Sequence, residues 1–286
     1  MIKPLMMSCN TLPNIDTEIR YPCLASGKLD GIRGCVQNAV LSSRSGKDSL
    51  NRHATQYLSK PIFEGLDGEL CLKGEKWNVF LANQSAFMEQ SGKPEFIFHV
   101  FDDINQPYAS AAKRKALTSV RVQKLFELGY DVHFCEQHLV NSPTELRALY
   151  DEYRSRGYEG LIVTDPKGLY KHGRSTLNQG LSLKLKPSQD DEGVIVDFEE
   201  YMFNLDAGNS KRKENLIPGD KLGAFILEWR GVRFGCGSGL TDAQRKLYWK
   251  NRDSMLGAQV TFKYMETFPD TGIPRSPVFK AIRVPQ

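Results

Sequence analysis

The apolar positions fall mostly in short strand-like runs, interrupted by a few stretches at helical spacing. Residues 22–45 read as a strand, a loop around Lys28, and a hairpin. In that hairpin Cys35-Val36-Gln37 and Val40-Leu41-Ser42-Ser43-Arg44 flank Asn38-Ala39. Residues 49–59 predict a short helix, and Leu66-Asp67-Gly68-Glu69-Leu70-Cys71-Leu72 a strand after a tight turn. Residues 84–94 are polar and read as loop. Phe96-Ile97-Phe98-His99-Val100-Phe101 is a β-rich run that predicts a strand near the core. A long helix fits 109–128, with Leu117, Val120 and Phe126 sharing its buried side. Val132-His133-Phe134 begins another strand. Ser142-Pro143-Thr144-Glu145 is a capping box with proline at the first helical position. The helix it opens carries Leu146, Leu149, Tyr150 and Tyr153 and stops at Gly157. Leu161-Ile162-Val163 and residues 182–187 predict two more strands.

The polar, acidic stretch Ser188-Gln189-Asp190-Asp191-Glu192-Gly193 marks the expected domain boundary, giving domains of residues 1–188 and 189–286. The second is mostly β. Val194–Phe198, Ala224–Trp229, Val232–Phe234, Gln259–Tyr264 and Val278–Arg283 predict strands, and the capping box Thr241-Asp242-Ala243-Gln244 opens one helix. Five strands and one helix in about a hundred residues suit a small barrel of the oligonucleotide-binding type. The fold class expected for the whole chain is α+β.

Composition adds boundaries. The chain has 286 residues, 40% hydrophobic and 25% charged, as in globular proteins. Its net charge of +4 permits a polyanionic partner without requiring one. The N-terminal residues hold no apolar run of signal-peptide type, and no stretch reaches the length of a membrane span. The six cysteines are scattered and form no C-x-x-C pair, which argues against a zinc site or disulfide framework and for a reducing compartment. The five histidines lack ligand spacing.

The chemistry concentrates in Ala25-Ser26-Gly27-Lys28-Leu29-Asp30-Gly31-Ile32-Arg33-Gly34. Gly27, Gly31 and Gly34 allow tight turns and close approach of the backbone to a ligand. A lysine held there with cations nearby can act as a nucleophile. A solvated lysine in a glycine-rich turn fits the same residues. In Leu181-Ser182-Leu183-Lys184-Leu185-Lys186, alternate residues share a face, so the leucines pack inward and both ammonium groups point the other way. Facing a cleft, that pair would clamp an α-phosphate; facing water, it is an amphipathic strand. Glu69 and Glu159 sit beside glycines at strand ends, where carboxylates bind Mg²⁺ or a ribose hydroxyl, or simply face solvent. Phe101 ends an apolar strand and could stack on a base or belong to the core.

Six motifs then follow one another in order: Lys28-Leu29-Asp30-Gly31-Ile32-Arg33, Ser43-Arg44-Ser45-Gly46, Asp67-Gly68-Glu69, Phe98-His99-Val100-Phe101-Asp102, Tyr158-Glu159-Gly160-Leu161-Ile162-Val163 and Leu183-Lys184-Leu185-Lys186-Pro187. Together they resemble the ATP-dependent DNA ligase branch of the covalent nucleotidyltransferases, most of all the minimal two-domain ligases of phages and some bacteria. The resemblance implies an ATP-grasp-like nucleotidyltransferase domain of antiparallel sheets with flanking helices, followed by the barrel. It implies Lys28 as the nucleophile that takes AMP, with Leu24, Ala25 and Ser26 lining the adenine pocket. Arg33 and Arg44 would contact ribose, phosphate or the 5′-phosphate at the nick. Glu69 would hold the ribose, Phe101 would stack on adenine, and Lys184 and Lys186 would grip the α-phosphate. Glu159, Glu69 and Asp30 would place Mg²⁺, with Mn²⁺ able to replace it. Lys171, Arg174 and the loop residues Lys211, Arg212 and Lys213, within a polar stretch from Asn204 to Asp220, are candidates for gripping DNA alongside Arg44.

One departure stands out. Larger family members end in Arg-x-Asp-Lys, whereas this sequence reads Arg283-Val284-Pro285-Gln286, which leaves Arg283 as the candidate pyrophosphate contact. Expected partners are ATP, Mg²⁺ and nicked duplex DNA, with a monomeric protein in a bacterial or phage-infected host cytoplasm and no membrane. An RNA ligase, an mRNA-capping guanylyltransferase using GTP, and a non-catalytic nucleic-acid-binding module are the competing readings. Twenty-seven residues before Lys28 and no cysteine cluster favour ATP over NAD.

Overall fold

A computed structural model describes residues 4–44, 46, 51–74, 80–205 and 215–283. The chain divides into two compact units, Met1–Lys186 and Pro187–Gln286.

The first unit is built on two sheets. One holds β1 (Cys23–Lys28), β7 (His138–Val140), β8 (Gly160–Thr164) and β9 (Leu183–Leu185), in the order β7-β1-β8-β9 and antiparallel throughout. The other holds β2 (Ile32–Gln37), β3 (Val40–Ser43), β4 (Leu66–Leu72), β5 (Phe96–Asp103) and β6 (Val132–Phe134), in the order β3-β2-β4-β5-β6. Only β5 and β6 run parallel. Asn38 and Ala39, both at φ 57°, make the turn between β2 and β3, the left-handed pair that a two-residue hairpin needs. The first sheet shares its core with α4 (Pro143–Ser155), through Leu146 and Tyr153 against Ala25, Leu161, Val163 and Leu183. Ser142 Oγ caps that helix by accepting the Glu145 N–H, but the Glu145 carboxylate reaches the N–H of Asn141, one residue earlier than a capping box places it.

The second sheet packs on α1 (Arg52–Leu58), α2 (Phe80–Met88) and α3 (Ala111–Glu127). Two expectations change here. Residues 84–94 contain the end of α2 rather than loop alone; its Asn83 is fully buried, accepting from the Leu72 N–H and donating to the Asp30 carbonyl. On α3, Leu117, Val120 and Phe126 are all exposed. The helix turns Ala111, Arg114, Lys115, Thr118, Val122 and Leu125 inward instead, because Arg114 and Lys115 find partners in β5.

The second unit is one antiparallel sheet in the order β12-β11-β10-β13-β14. It comprises β10 (Gln189–Asn204), β11 (Leu216–Trp229), β12 (Val232–Cys236), β13 (Gln259–Tyr264) and β14 (Val278–Arg283), with α5 (Asp242–Lys250) before β13. The acidic stretch read as a boundary is the start of β10, where Gln189–Val194 pairs with β13. Register shifts along β10 between residues 195 and 202 bend the strand, so that its second half serves β11. The Phe279 N–H donates to the Ser238 carbonyl at 2.8 Å, which joins the two outer strands and closes the barrel. Phe225, Leu227, Trp229, Phe262 and Tyr264 fill its interior. Asn204 and residues 216–220, read as loop, belong to β10 and β11. The capping box at Thr241 is complete.

Candidate active site

Lys28 is the last residue of β1, not a loop residue, and it pairs with Gly160 in β8. Its carbonyl accepts the Glu159 N–H at 2.9 Å, which sets the two side chains together. Lys28 Nζ donates to Glu159 Oε2, and Lys186 Nζ lies 3.9 Å from the other oxygen of the same carboxylate. Glu159 is 7% exposed. Gly160 is the first residue of β8, at φ +154°, and a side chain there would meet the Leu185 carbonyl. Gly27 carries no positive φ; its lack of a Cβ serves packing, since one would sit 2.5 Å from the rings of Tyr153 and Tyr158.

On β9, Leu183 and Leu185 are buried and Lys184 faces the other way. Burial, then the charges of Lys186, Lys28 and Arg174, lower the Lys184 pKa. Across the cleft, Glu69 of β4 lies opposite Arg33 of β2. Burial pushes Glu69 up to about 7; Lys28 and Arg33 oppose the rise, while Asp67 and Glu159 add to it. Arg33 holds Asp67 with two hydrogen bonds, Nε to Oδ1 at 2.9 Å and Nη2 to Oδ2 at 2.6 Å. Its guanidinium carbon lies 5.2 Å from the centre of the Phe101 ring. Burial works against the Arg33 charge, but Asp67 outweighs it and raises the pKa.

Most of these residues enclose a cleft of about 230 Å³ in the first unit; Glu159 and Lys186 are not among its lining residues. Lys28, Arg33, Glu69, Phe101 and Lys184 line it, as do Ser26, Arg44 and Arg174. Leu24 lines a different cavity, against α3 and residues 132–137. Ala25 is fully buried in the core. Asp30 is 8% exposed and is not among the cleft-lining residues. Lys171 is half-buried and donates to the Arg174 carbonyl and to Gln179. Arg174 donates to the Ser8 carbonyl and to Asn10. Arg283 belongs to the second unit, with Nε 3.1 Å from Glu192. Lys211, Arg212 and Lys213 lie outside the described residues.

No three His, Cys, Asp or Glu residues gather as a metal cluster among the described residues. The donors fit Mg²⁺ all the same. That ion keeps several waters and takes one or two carboxylates together with substrate phosphates, and Glu69 and Glu159 are two such carboxylates.

The family model of the ATP-dependent DNA ligase domain matches residues 5–186, and that of the DNA ligase OB-like domain matches residues 218–283. The chain belongs to the ATP-dependent DNA ligase family. It is 28% identical to the DNA ligase of African swine fever virus (isolate Tick/Malawi/Lil 20-1/1983), an alignment that covers 96% of the chain and 67% of the viral protein. Among solved structures it is similar to the Chlorella virus DNA ligase-adenylate, at 30% identity, with a TM-score of 0.58 over 99% of this chain and 100% of that one. A Lig E DNA ligase shares the fold, at 23% identity and a TM-score of 0.68, covering 99% of this chain and 100% of that one. The ligase is thus a nick-sealing enzyme that uses ATP, its nucleotidyltransferase domain followed by an OB-like domain. The capping, RNA-ligase and non-catalytic readings give way to it. No helix among the described residues is long and apolar enough to cross a membrane.

Several residues lining the ligase cleft carried no assignment from sequence: Asp67, Asp102, Lys115, Tyr170, and Met6 with Met7. Asp67 had a local signal, since on a strand it shares a face with Glu69. Tyr170 and the N-terminal methionines had none, because they reach the cleft through long-range pairing.

Proposed function

We propose that Lys28 is the nucleophile of the first step. Its amine sheds a proton, leaves Glu159 and attacks the α-phosphorus of ATP. A phosphorus–nitrogen bond forms as the bond to pyrophosphate breaks, and the AMP then passes to a 5′-phosphate, from which the adjoining 3′-hydroxyl expels it. Lys184 and Lys186 grip the α-phosphate and neutralise the charge that builds on it. Glu69 holds the ribose, Phe101 stacks on adenine with Ser26 at the pocket wall, and Arg33 touches ribose or phosphate. Mg²⁺, or Mn²⁺ in its place, would be held by Glu69 and Glu159 and would polarise the transferred phosphate. Arg44 and Arg174, both on the cleft wall, bind the 5′-phosphate of the nick, and Lys171 with residues 211–213 grips the flanking duplex. Arg283 contacts pyrophosphate. The ligase acts as a monomer, and its free cysteines, five of them buried, support a reducing cytoplasm.

The observation that carries this reading is Lys28 on the wall of a cleft that Arg33, Glu69 and Lys184 also line, with its amine held by Glu159 behind it. With α-labelled ATP and Mg²⁺, the ligase should acquire an acid-labile label that pyrophosphate removes, and Lys28→Ala should abolish it. Lys184→Ala and Lys186→Ala should each slow labelling by about a hundredfold with the melting temperature little changed. Labelling that survives Lys28→Ala, or that is unchanged in both clamp variants, would overturn the assignment.

A further inference from the structure

Tyr170 lies in the segment between β8 and β9, is 7% exposed, and lines the nucleotide cleft. Its hydroxyl has two neighbours. The Met6 backbone nitrogen is 2.9 Å away, and Asp67 Oδ2 is 3.3 Å away. A backbone N–H only donates, so the tyrosine oxygen accepts from Met6 and gives its own proton to Asp67. Asp67 therefore receives three donors: Nε and Nη2 of Arg33, and the Tyr170 hydroxyl. All three favour the carboxylate form and work against the burial that raises the Asp67 pKa. The other face of the same residue meets a second buried ion pair. Arg114, bonded to Asp102 at 2.5 and 3.1 Å, holds its guanidinium carbon 5.4 Å from the Tyr170 ring centre. Met6 belongs to a segment that continues pairing toward β9: the Met7 N–H donates to Gly173, Ser175 donates back to Met7, and Cys9 donates to Ser182.

We propose that Tyr170 is a positioning residue for the nucleotide site: its hydroxyl fixes the Asp67 carboxylate that aims Arg33 over the Phe101 ring, and ties that pair to the chain at Met6. The inference rests on the reading of Arg33 as a nucleotide contact. Without the hydroxyl, Asp67 and Arg33 gain rotamer freedom that ATP must remove on binding. That cost falls equally on the ground state and the transition state, so it raises KM and spares kcat.

The test is single-turnover self-adenylation of the full chain across ATP concentrations at pH 7.5. Tyr170→Phe, which keeps the ring over Arg114, should raise the half-saturating ATP concentration about tenfold and change the limiting rate less than twofold. In an Asp67→Ala background the same substitution should add less than twofold, because its target is already gone. Additive effects in the pair, or a fall in limiting rate at unchanged half-saturation, overturn the proposal. Arg33→Lys, measured alongside, separates the two readings. If Arg33→Lys is silent, the assignment of Arg33 fails; if it impairs binding while Tyr170→Phe does not, only the present inference fails. Should Tyr170→Phe not fold, 3-fluorotyrosine at position 170 replaces it. Its more acidic hydroxyl is a stronger donor and should lower half-saturation at least twofold; an unchanged or raised value overturns the proposal.

Discussion

At the scale of single residues, the ligase places two strained requirements near Lys28. Glu69 is a half-buried carboxyl whose pKa stands at about 7, above the ordinary value of 4.5. A raised acid pKa means that the folded state binds the proton more tightly than the unfolded one. Folding therefore loses stability as pH rises from 4.5 to 7, and the full cost is present above that window. Glu69→Gln should raise stability by about 2 kcal/mol at pH 8 and by nothing at pH 4, read from urea melts, while adenylation falls because the ribose contact proposed for Glu69 trades a carboxylate for a weaker, neutral acceptor. Gly27 is the second case. Gly27→Ala forces the Tyr153 and Tyr158 rings aside at a cost of about 1–3 kcal/mol. Tyr158 adjoins Glu159, so adenylation should drop about tenfold even where the variant remains folded; paired thermal melts and label incorporation check this. The Lys-x-Asp-Gly stretch stood out in the sequence, but the reason for Gly27, the residue just before it, was not there. Two tyrosines about 130 residues away supply it, and no local pattern records them.

At the scale of elements, α3 shows where reading from pattern fails. Leu117, Val120 and Phe126 look like a core stripe, yet they face water, and Arg114 is completely buried. A charged residue reads as surface unless its partner is known, and the partner, Asp102, comes from β5. The strands were legible because their runs are short, apolar and closed by turn residues; β4, β13 and β14 have the bounds that their sequences give. The end of α2 was not legible, since its buried Asn83 is polar and serves the Leu72 and Asp30 backbone. Arg114→Ala should cost about 3–5 kcal/mol, because it leaves Asp102 charged, buried and unpaired. Leu117→Ala should shift stability by no more than about 0.5 kcal/mol. Denaturant melts of the two variants side by side decide between these registers of the helix.

At the scale of the whole molecule, each unit carries its own core. Residues 187–286 close a barrel around Phe225, Trp229, Phe262 and Tyr264 without help from the first unit's clusters. Expressed alone, that unit should unfold in one cooperative transition, with fluorescence and circular dichroism midpoints that coincide. Much of the cleft was readable from the ordered motifs, because Lys28, Arg33, Glu69, Phe101 and Lys184 all lie on strands that border it. The wall built by Met6, Met7 and Tyr170 was hidden, since it forms by chain segments about 165 residues apart. The pairing of Lys28 with Glu159 has one more consequence. In the role proposed for it, Lys28 has to break this contact before it can meet ATP, so the ion pair is a latch on the first step.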